Sequence, residues 1–417
     1  MGVIRSTVRL THDVQNEDRY VRVPFEVGPG WDSFEVRISN LADAVIDLGC
    51  EGAGGWRGWS GGARSGYVIR PDDATPGYLP GELEHGEWAV VLGIHRLPEA
   101  GADITVEIVH PAQSRIDHGP LAAVVAEVAR GSDRDLPAPE GLRWFAGDFH
   151  GHTLHSDGRE SVSGLAALGV AAGLDFLAVT DHNTTSHHAH LPSVGARHSI
   201  TLLPGQEVTT HLGHANAFGD IGWIDFRRPA QEWVGTVAAR GGVLSVNHPI
   251  SGDCSWVHRL DRAPRAIEAW HSTWFRELIS TAPLAFLARW EREVTLLGGG
   301  DFHRREDGVG PGTPTTWVAA EDPSPEAILA GVAAGRTAIM GGVSSRGGLT
   351  APDVFTAPVL LRIGGDVIAV DADGLVLVDG LGERRAVRGH RVSFEADPGR
   401  GPHYLLHHDR RIAALCA

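Results

Sequence analysis

The sequence of 417 residues contains no lysine, so all 36 of its basic residues are arginine. This absence excludes three kinds of site that need a lysine amine: a phosphate-binding loop lysine, a Schiff-base lysine and a carboxylated lysine that bridges two metals. Cysteine is scarce as well, since only Cys50, Cys254 and Cys416 occur, far apart in the chain. An odd and widely spaced set is typical of a reduced, cytoplasmic protein and not of a disulfide scaffold.

Long apolar runs and positive charge are also lacking. No run of about 18 apolar residues occurs, so we expect no membrane span, and residues 1–12 lack the apolar block of a signal peptide. The formal net charge is −16, which argues against binding of polymeric nucleic acid because that requires a basic surface. We therefore expect a cytoplasmic protein whose partner is a small molecule, and the sequence leaves its oligomeric state open.

The composition changes twice along the chain, which predicts three domains. Residues 1–140 contain short alternating runs bounded by Gly, Pro, Asn and Asp, a pattern typical of a β-sandwich-like domain. Residues 141–345 alternate strands with helices, as in a mainly parallel α/β sheet or barrel. Residues 346–417 return to short alternating segments and predict a small C-terminal β appendage.

Two segments of the N-terminal part carry further expectations. Residues 52–67 are rich in Gly and Trp and include Trp56, Arg57 and Trp59, which predicts a long loop. Such a loop either covers an active site or packs between domains. Residues 120–130 begin with Pro and are followed by Gly131, which predicts a short helix.

Histidine is concentrated in the middle of the chain: 14 of the 23 lie between His150 and His303. The densest segment follows the apolar run 142–146, which predicts a strand. If that strand continues through His150 and His152, its period of two places both imidazoles on one side, where they can bind one cation. Asp157 follows in a turn and offers a carboxylate. Taken alone, a His-x-His pair is often an ordinary loop sequence.

The remaining strands strengthen the metal interpretation. Seven strands are predicted, at 142–146, 176–180, 200–203, 214–218, 243–246, 266–270 and 294–297. Six of them carry a candidate ligand at or beside an end, and the sixth in order carries only His271; a helix is predicted over 274–289. The candidate ligands are His150, His152, Asp157, His182, Glu207, His214, His248, Asp301 and His303. Because barrel enzymes build their active sites at C-terminal strand ends, this distribution predicts a metal site. His211, three residues before His214, is an alternative to it.

Five short motifs containing the candidate ligands follow one another along the chain. They are Asp148-Phe149-His150-Gly151-His152-Thr153 with Ser156-Asp157-Gly158, Thr180-Asp181-His182-Asn183, Gly205-Gln206-Glu207 with Gly213-His214, Asn247-His248-Pro249, and Gly300-Asp301-Phe302-His303. In this order they resemble the polymerase and histidinol phosphatase (PHP) superfamily, over residues 145–340. The flanking segments 56–67 and 74–81 resemble, less specifically, the branch named for carbaryl hydrolases, the CehA/McbA type.

The resemblance implies a fold and a ligand set. The fold would be an α/β class distorted (β/α)7 barrel, flanked here by the N-terminal β-sandwich-like domain and the small C-terminal β region, with two or three divalent metals. One metal would take His150, His152, Glu207 and Asp301; a second would share Glu207 and add His214 and His248; a third would take Asp157, His182 and His303. Imidazole and carboxylate ligands suit Zn²⁺, Mn²⁺ or Fe²⁺. Asp148 and Asp181 adjoin ligands and either orient them or are ordinary turn residues.

Such a centre predicts a metal-dependent hydrolase. Two cations can hold a bridging hydroxide and position the group that it attacks, so the leading hypothesis is a phosphoesterase acting on a small phosphomonoester or phosphodiester. Asp301 and His303 would be catalytic, and Arg304, with Arg305, would bind a substrate phosphate unless both are ordinary surface arginines. His155, His187, His188, His190 and His271 are either general acids, substrate contacts or solvated loop histidines.

Three alternatives remain. The same site can hydrolyse a carboxylic ester or carbamate, which an apolar pocket lined by Trp56, Trp59, Trp256, Trp270 and Trp274 would favour. An amidohydrolase-type barrel also begins with His-x-His, but the lack of lysine removes its carboxylated bridge. Finally, the protein can be a non-catalytic, metal-stabilised binding module, although every expected ligand position is filled.

Overall fold

The computed structural model describes residues 2–41, 43–126, 128–273, 284, 287, 294–345 and 348–417. The chain forms two compact units. The first contains Met1–Pro120, His152–Ser161 and Asp181–Ala189, and the second contains Leu121–Gly151, Val162–Thr180 and His190–Ala417. The predicted boundaries at 140 and 345 therefore do not coincide with the division in the structure. Two segments that carry predicted ligands, 152–161 and 181–189, belong to the first unit.

Two four-stranded antiparallel sheets form the first unit. In chain order the strands are β1 (Gly2–Leu10), β2 (Tyr20–Val27), β3 (Phe34–Ser39), β4 (Val45–Gly52), β5 (Gly55–Trp59), β6 (Gly66–Ile69), β7 (Gly86–Arg96) and β8 (Ala102–His110), with a short helix α1 (His12–Glu17). The sheet orders are β1-β8-β3-β6 and β2-β7-β4-β5. Phe34 and Ile104 from one sheet share a core with Val23, Trp88 and Leu92 from the other. The two sheets of the first unit therefore share one core.

The Gly- and Trp-rich segment 52–67 is not a long loop, contrary to the prediction. It contains β5 and the start of β6, and Trp59 is buried. Two glycines outside the segment make room for its indole: a Cβ on Gly49 or Gly93 would lie 2.5 or 2.6 Å from a Trp59 ring atom. Arg57 is buried too, where its guanidinium donates to the carbonyls of Leu79, Gly81 and Glu82.

A thirteen-stranded mixed sheet dominates the second unit. Its strands are β9 (Arg143–Asp148), β10 (Phe176–Val179), β11 (Thr201–Thr210), β12 (Gly213–Phe218), β13 (Val243–Val246), β14 (Ala266–His271), β15 (Thr295–Gly299), β16 (Thr315–Ala320) and β17 (Thr337–Met340), followed by β22 (Val376–Val378), β23 (Arg384–Ala386), β25 (His403–Leu406) and β26 (Ile412–Cys416). Two smaller sheets contain β18 (Val343–Ser345) with β19 (Gly348–Thr350), and β20 (Val359–Ile363), β21 (Asp366–Val370) and β24 (Arg391–Glu395). All seven strands predicted between 142 and 297 are present.

The order of the large sheet is β15-β14-β13-β12-β11-β10-β9-β16-β17-β26-β25-β22-β23. Neighbours β9, β10 and β11 are parallel, as are β13, β14 and β15, whereas β12 and β16 are antiparallel to both of their neighbours. The edge strand β15 also reaches the other half of the sheet, because the Gly298 N–H donates to Thr316 Oγ1 at 2.8 Å and Thr337 Oγ1 donates to the Leu296 carbonyl at 2.8 Å. The C-terminal strand β26 pairs with β17, so this part of the C-terminal region continues the sheet.

Among the residues described, the second unit also contains the helices α2 (Val162–Ala171), α3 (Leu191–His198), α4 (Ala230–Ala239) and α5 (Pro325–Ala333). The helix α5 begins with Ser324 as its N-cap, whose hydroxyl accepts the Ala327 N–H, and with Pro325 in its first turn. After α4 the chain turns at Gly241, which has a φ of +78° and so ends the helix in the left-handed region. These helices explain the mixed α/β pattern of the sequence, although strands outnumber helices.

One predicted helix is wrong and another cannot be compared. No helix occurs among the described residues of 120–130, where Leu121 is 73% exposed and Val124 is 54% exposed. A short helix needs an apolar face that packs against something, and these apolar residues pack against little. The helix predicted over 274–289 lies outside the described residues, apart from Leu284 and Leu287. Among the residues described, no helix has both the length and the apolarity to cross a membrane.

Candidate metal centre

The strand β9 ends at Asp148, so His150 and His152 do not lie on it, contrary to the prediction. The reason is the Asp148 carboxylate, which accepts backbone N–H groups from His150 at 3.1 Å, Gly300 at 2.9 Å and Gly312 at 2.7 Å. These bonds turn the chain out of the β ladder. Burial raises the pKa of Asp148 to about 6, although the three N–H donors lower it. Asp148 therefore positions the backbone of a ligand residue, not its imidazole.

In the second unit, several predicted ligands converge on one carboxylate oxygen. Oε1 of the fully buried Glu207 lies 3.2 Å from His150 Nε2, 3.2 Å from His214 Nδ1 and 3.3 Å from His248 Nε2. The Asn247 side-chain amide donates to the same oxygen at 2.8 Å. Four of the predicted ligands are thus brought together within one unit.

The β11–β12 hairpin explains why Glu207 and His214 meet. Glu207 lies inside β11, not after its end as predicted, because the strand runs to Thr210. In the antiparallel register, Thr209 faces His214 and Glu207 faces Asn216. Glu207 and His214 are therefore diagonal neighbours on one face of the hairpin. His211 lies in the exposed turn, so the structure selects His214 for the cluster.

Asp301 joins the same cluster from the segment after β15. Its Oδ1 lies 3.2 Å from His150 Nε2, and its Oδ2 lies 3.2 Å from His271 Nε2. Asp301 has a φ of +52° and His248 a φ of +24°. Non-glycine residues rarely adopt such conformations, which concentrate at functional sites. Both residues come directly after strand segments, where their side chains turn towards Glu207 and His150.

Glu268 is a member of the site that sequence reasoning missed. It lies in β14 and is buried, with Oε1 2.7 Å from His150 Nδ1 and Oε2 accepting the His248 backbone N–H at 2.7 Å. Burial alone would lower the pKa of His150, but the Asp301, Glu207 and Glu268 carboxylates raise it well above its usual value. The available signal was a lone carboxylate within the otherwise apolar strand Ala266–Trp270.

Two classes of distance separate orienting bonds from ligand contacts. The Glu268–His150 distance of 2.7 Å is typical of a charge-assisted hydrogen bond. The distances from His150, His214 and His248 to Glu207 Oε1 are 3.2–3.3 Å. The distances from His150 and His271 to the Asp301 carboxylate are both 3.2 Å. Two ligands bound at about 2.0–2.2 Å to one tetrahedral or octahedral ion are separated by about 3.0–3.4 Å. The spacing and the imidazole–carboxylate donor set therefore fit a divalent cation of the zinc, manganese or iron type.

The first unit holds a second group of predicted ligands. One ligand atom from each of His152, Asp157 and His182 lies within 4.8 Å of the others. The His152 and His182 rings stack with centroids 4.4 Å apart, and His182 Nε2 lies 3.5 Å from Asp157 Oδ1. The donors are again imidazole and carboxylate, which suits the same class of cation.

Asp181 fixes the turn that carries His152 and Asp157. Its carboxylate accepts the Thr153 N–H at 2.8 Å, the Thr153 hydroxyl at 2.7 Å and the Ser156 hydroxyl at 2.6 Å, and lies 3.3 Å from His187 Nδ1. The ligand-orienting alternative for Asp181 thus matches its contacts. Ser156 is one of the donors that hold this turn.

The turn at Gly77 joins the two ligand-bearing segments of the first unit. The Gly77 N–H donates to Ser186 Oγ at 3.0 Å, and its carbonyl accepts the Thr184 hydroxyl at 2.7 Å. Ser186 Oγ in turn lies 2.7 Å from His155 Nδ1. Arg64, from the Gly- and Trp-rich segment, donates to the Leu154 carbonyl. That segment therefore supports the ligand loop from its own unit, a role that its sequence did not reveal.

Asp47 on β4 is a further acidic group that the sequence analysis did not single out. Burial raises its pKa to about 7, while His182 lowers it and Asp157 raises it.

The predicted substrate contacts are less clearly arranged. His303 Nδ1 lies 2.9 Å from the Asp301 carbonyl, and its side chain is partly exposed. Arg304 is about half exposed and donates to Asp307 at 2.8 Å. Trp59 and Trp270 are buried in the cores of their respective units, and Trp256 packs edge-on against Trp233. Trp274 lies outside the described residues. A tryptophan-lined pocket is not formed by these buried indoles.

Comparisons with known proteins give no family assignment. No family model matches the sequence, and no curated protein matches it. A two-domain protein from Bacteroides vulgatus ATCC 8482, described as containing a predicted PHP-like metal-dependent phosphoesterase, has 16% identity and a TM-score of 0.37, covering 70% of this chain and 91% of its own.

Two further solved structures are similar at the same low level. A protein from Bifidobacterium adolescentis ATCC 15703, described as a metal-dependent phosphoesterase, has 18% identity and a TM-score of 0.31, covering 40% of this chain and 90% of its own. An amidohydrolase from Chromobacterium violaceum, solved with sulfate and without metal, has 15% identity and a TM-score of 0.29, covering 39% and 89%. At such scores these similarities assign neither a family nor an activity to this chain.

Proposed function

We propose that the protein is a divalent-metal-dependent hydrolase that cleaves a small phosphomonoester or phosphodiester. The observation that carries the proposal is the convergence of three imidazole nitrogens on Glu207 Oε1 at 3.2–3.3 Å. Ligands of a common cation converge at this spacing, which is wider than that of a charge-assisted hydrogen bond from an imidazole to a carboxylate. Asp301 adds a second carboxylate to the same group.

Divalent cations at such a centre would polarise a phosphoryl oxygen and lower the pKa of a water nucleophile. The chain's own residues would hold that arrangement. Glu268 keeps the Nδ1 proton of His150, so that Nε2 faces Glu207 and Asp301. Asn247 fixes the orientation of the Glu207 carboxylate. Asp148 ties the segment with His150 to Gly300, next to Asp301.

The preference for phosphorus over an acyl carbon rests on the resemblance of the five sequence motifs to the polymerase and histidinol phosphatase superfamily. An apolar pocket lined by tryptophans would favour the carboxylester or carbamate alternative, but Trp59 and Trp270 are buried in cores. The phosphate-binding role of Arg304 stays a prediction, as do the assignment of His152 to the first metal and of Asp157, His182 and His303 to a third. The catalytic roles of Asp301 and His303 and the cytoplasmic location are proposals of the same standing.

The test combines metal content with activity. Protein purified without chelator is analysed by inductively coupled plasma mass spectrometry and assayed with p-nitrophenyl phosphate, bis(p-nitrophenyl) phosphate and p-nitrophenyl acetate. We expect at least one tightly bound divalent cation and phosphate-ester cleavage that is lost in His150→Ala. The matched control is His390→Ala, which removes a histidine with a side chain 89% exposed.

Other outcomes would redirect the assignment. Acetate-ester cleavage without phosphatase activity would support the carboxylester alternative. Bound metal with no activity on any of the three esters would favour a binding module. Failure to bind Zn²⁺, Mn²⁺ or Fe²⁺ when each is offered to the apoprotein would refute the metal centre itself.

A further inference from the structure

His271 lies beside the cluster but was not among the nine predicted ligands. It is the last residue of β14, and its partner in the parallel register is Gly299 of β15, two residues before Asp301. Its side chain is buried. We propose that His271 is a direct ligand of the metal bound by His150. Asp301 lies between the two imidazoles, with one carboxylate oxygen beside each of them. This proposal rests on the metal-binding function proposed above.

The geometry of Asp301 supports this ligand role. Its two carboxylate oxygens face different histidines: Oδ1 lies 3.2 Å from His150 Nε2 and Oδ2 lies 3.2 Å from His271 Nε2. One ligand atom from each of the three residues lies within 4.8 Å of the others. Two imidazoles and one carboxylate form a set that both catalytic zinc sites and non-haem iron(II) sites use, with positions left for water and substrate.

A competing role is a simple hydrogen bond from His271 to Asp301. In that case Nε2 carries the proton, and Nδ1 must accept one. The distances argue against it, because a histidine donating to a buried carboxylate approaches to about 2.7–2.9 Å. The His150–Glu268 pair does so at 2.7 Å. The 3.2 Å distance of His271 instead equals the spacing of the other ligand atoms.

Thr273 supplies the partner that a metal-binding tautomer of His271 needs. Its Oγ1 lies 2.9 Å from His271 Nδ1, whereas its backbone N–H, which donates to Nδ1 in the competing tautomer, is more distant at 3.3 Å. If Nδ1 donates its proton to this hydroxyl, the lone pair of Nε2 is left for a cation. Metal-bound histidines commonly have such a partner on the second ring nitrogen, which fixes the tautomer and the ring orientation.

Two substitutions separate a ligand from a hydrogen-bond donor. His271→Gln keeps an N–H donor near the position of Nε2 but offers only a weak amide ligand, whereas His271→Ala removes both functions. Zn²⁺ affinity is measured on the apoproteins by competition with a chromophoric chelator, and Zn²⁺ stoichiometry by mass spectrometry. The visible spectrum of the Co²⁺-substituted protein reports the number and type of ligands. His390→Ala is the matched control, and circular dichroism verifies folding.

If His271 is a ligand, both His271 variants lose one bound Zn²⁺ or bind it more than about 100-fold more weakly, beyond the range of an orienting residue. Their Co²⁺ spectra change as well. Thr273→Val, which removes only the hydroxyl, weakens binding by about 10–100-fold and leaves the Co²⁺ ligand number unchanged. A His271→Gln variant with wild-type affinity and spectrum would overturn the inference while leaving the metal centre intact. A wild-type protein that binds no Zn²⁺ or Co²⁺ would overturn both proposals.

Discussion

The carboxylate of Glu268 connects two predicted ligands, with Oε1 2.7 Å from His150 Nδ1 and Oε2 2.7 Å from the His248 backbone N–H. Burial raises the pKa of Glu268, but the interactions with His150, His271 and His248, including the hydrogen bond with His150, lower it below its usual value, so the carboxylate is ionised. An ionised carboxylate on Nδ1 fixes the His150 tautomer that directs Nε2 towards Glu207 and Asp301. Glu268 would therefore act on a bound cation through His150.

We expect Glu268→Ala to weaken divalent-metal affinity by about 10–100-fold, the usual effect of removing a partner of a metal-bound histidine. Glu268→Gln should have a smaller effect, because its amide oxygen can still accept from His150. Its amide group would then face the His248 N–H, which places two donors together. Chelator competition on the apoproteins measures both affinities.

The control for this prediction is Glu232→Gln, which alters an exposed carboxylate bonded to Arg228. It should leave metal affinity unchanged. Equal affinity in Glu268→Ala and the wild-type protein would show that Glu268 does not orient a ligand.

In the first unit, the turn at Gly77 joins the segments that carry the predicted ligands. Gly77 has a φ of +103°, and a Cβ there would lie 2.6 Å from the Trp59 carbonyl oxygen and 2.9 Å from that of His155. We expect Gly77→Ala to lower the free energy of unfolding by about 1–3 kcal/mol, since the strain cannot be relieved by a flexible side chain. Because Gly77 contacts Thr184 and Ser186, metal binding by His152, Asp157 and His182 should weaken as well.

The same substitution at Gly235 is the matched control. Gly235 is exposed in α4, and a Cβ there would meet no atom within 4 Å. Gly235→Ala should raise the free energy of unfolding by about 0.5–1 kcal/mol, because alanine loses less backbone entropy in a helix. Urea unfolding of the metal-free proteins measures both changes, and a neutral Gly77→Ala would contradict the role given to this turn.

The sequence predicted the strands of the second unit well because each is a short apolar run between turn residues. β10, β13 and β15 are buried throughout and begin within a residue or so of their predicted starts. Prediction from the sequence failed where the composition suggests one local structure and the packing produces another. The glycines of 52–67 suggested a loop, yet this segment contains the strand Gly55–Trp59, whose Trp59 is buried. Residues 120–130 have a helical pattern, yet Leu121 has no core to face.

Site prediction had a similar limit. Motif order identified His150, Glu207, His214, His248 and Asp301, which the structure brings together. Glu268 was missed, and His271 was not predicted as a ligand, because neither belongs to a motif and only strand register places β14 beside β15. The support that Gly77 gives to Ser186 depends on a contact between residues 109 positions apart. Periodicity along the chain carries no information about such a contact.

The imidazole of His258 should make stability depend on pH. Burial lowers its pKa to about 4, His211 and His214 lower it too, and its ring packs edge-on against Trp233. Between pH 6.5 and 4 the unfolded chain therefore binds more protons at this position than the folded chain. The free energy of unfolding should accordingly fall as the pH is lowered through this window and should be insensitive to this group above it.

Replacing the imidazole of His258 tests the predicted direction of this pH dependence. His258→Gln can keep a bond to Thr210, whose Oγ1 lies 2.8 Å from His258 Nε2, but it does not titrate. Urea unfolding of the apoproteins at several pH values should give a shallower loss of stability for the variant on acidification. Parallel curves for the two proteins would refute the depressed pKa, and His390→Ala controls for the removal of an exposed histidine.

Metal binding should also stabilise the folded chain. Glu207, Asp301 and Glu268 place three carboxylates around His150, and a bound cation would offset their mutual repulsion only in the folded state. A ligand that binds the folded form alone, at about 100 times its Kd, raises the free energy of unfolding by about 2.7 kcal/mol per site. We therefore expect Zn²⁺ to raise the thermal midpoint and a chelator to reverse the shift. Glu207→Gln should lose most of that shift, because Glu207 Oε1 is the oxygen on which three histidines converge. A Zn²⁺-dependent shift of equal size in Glu207→Gln would mean that the stabilising cation binds elsewhere.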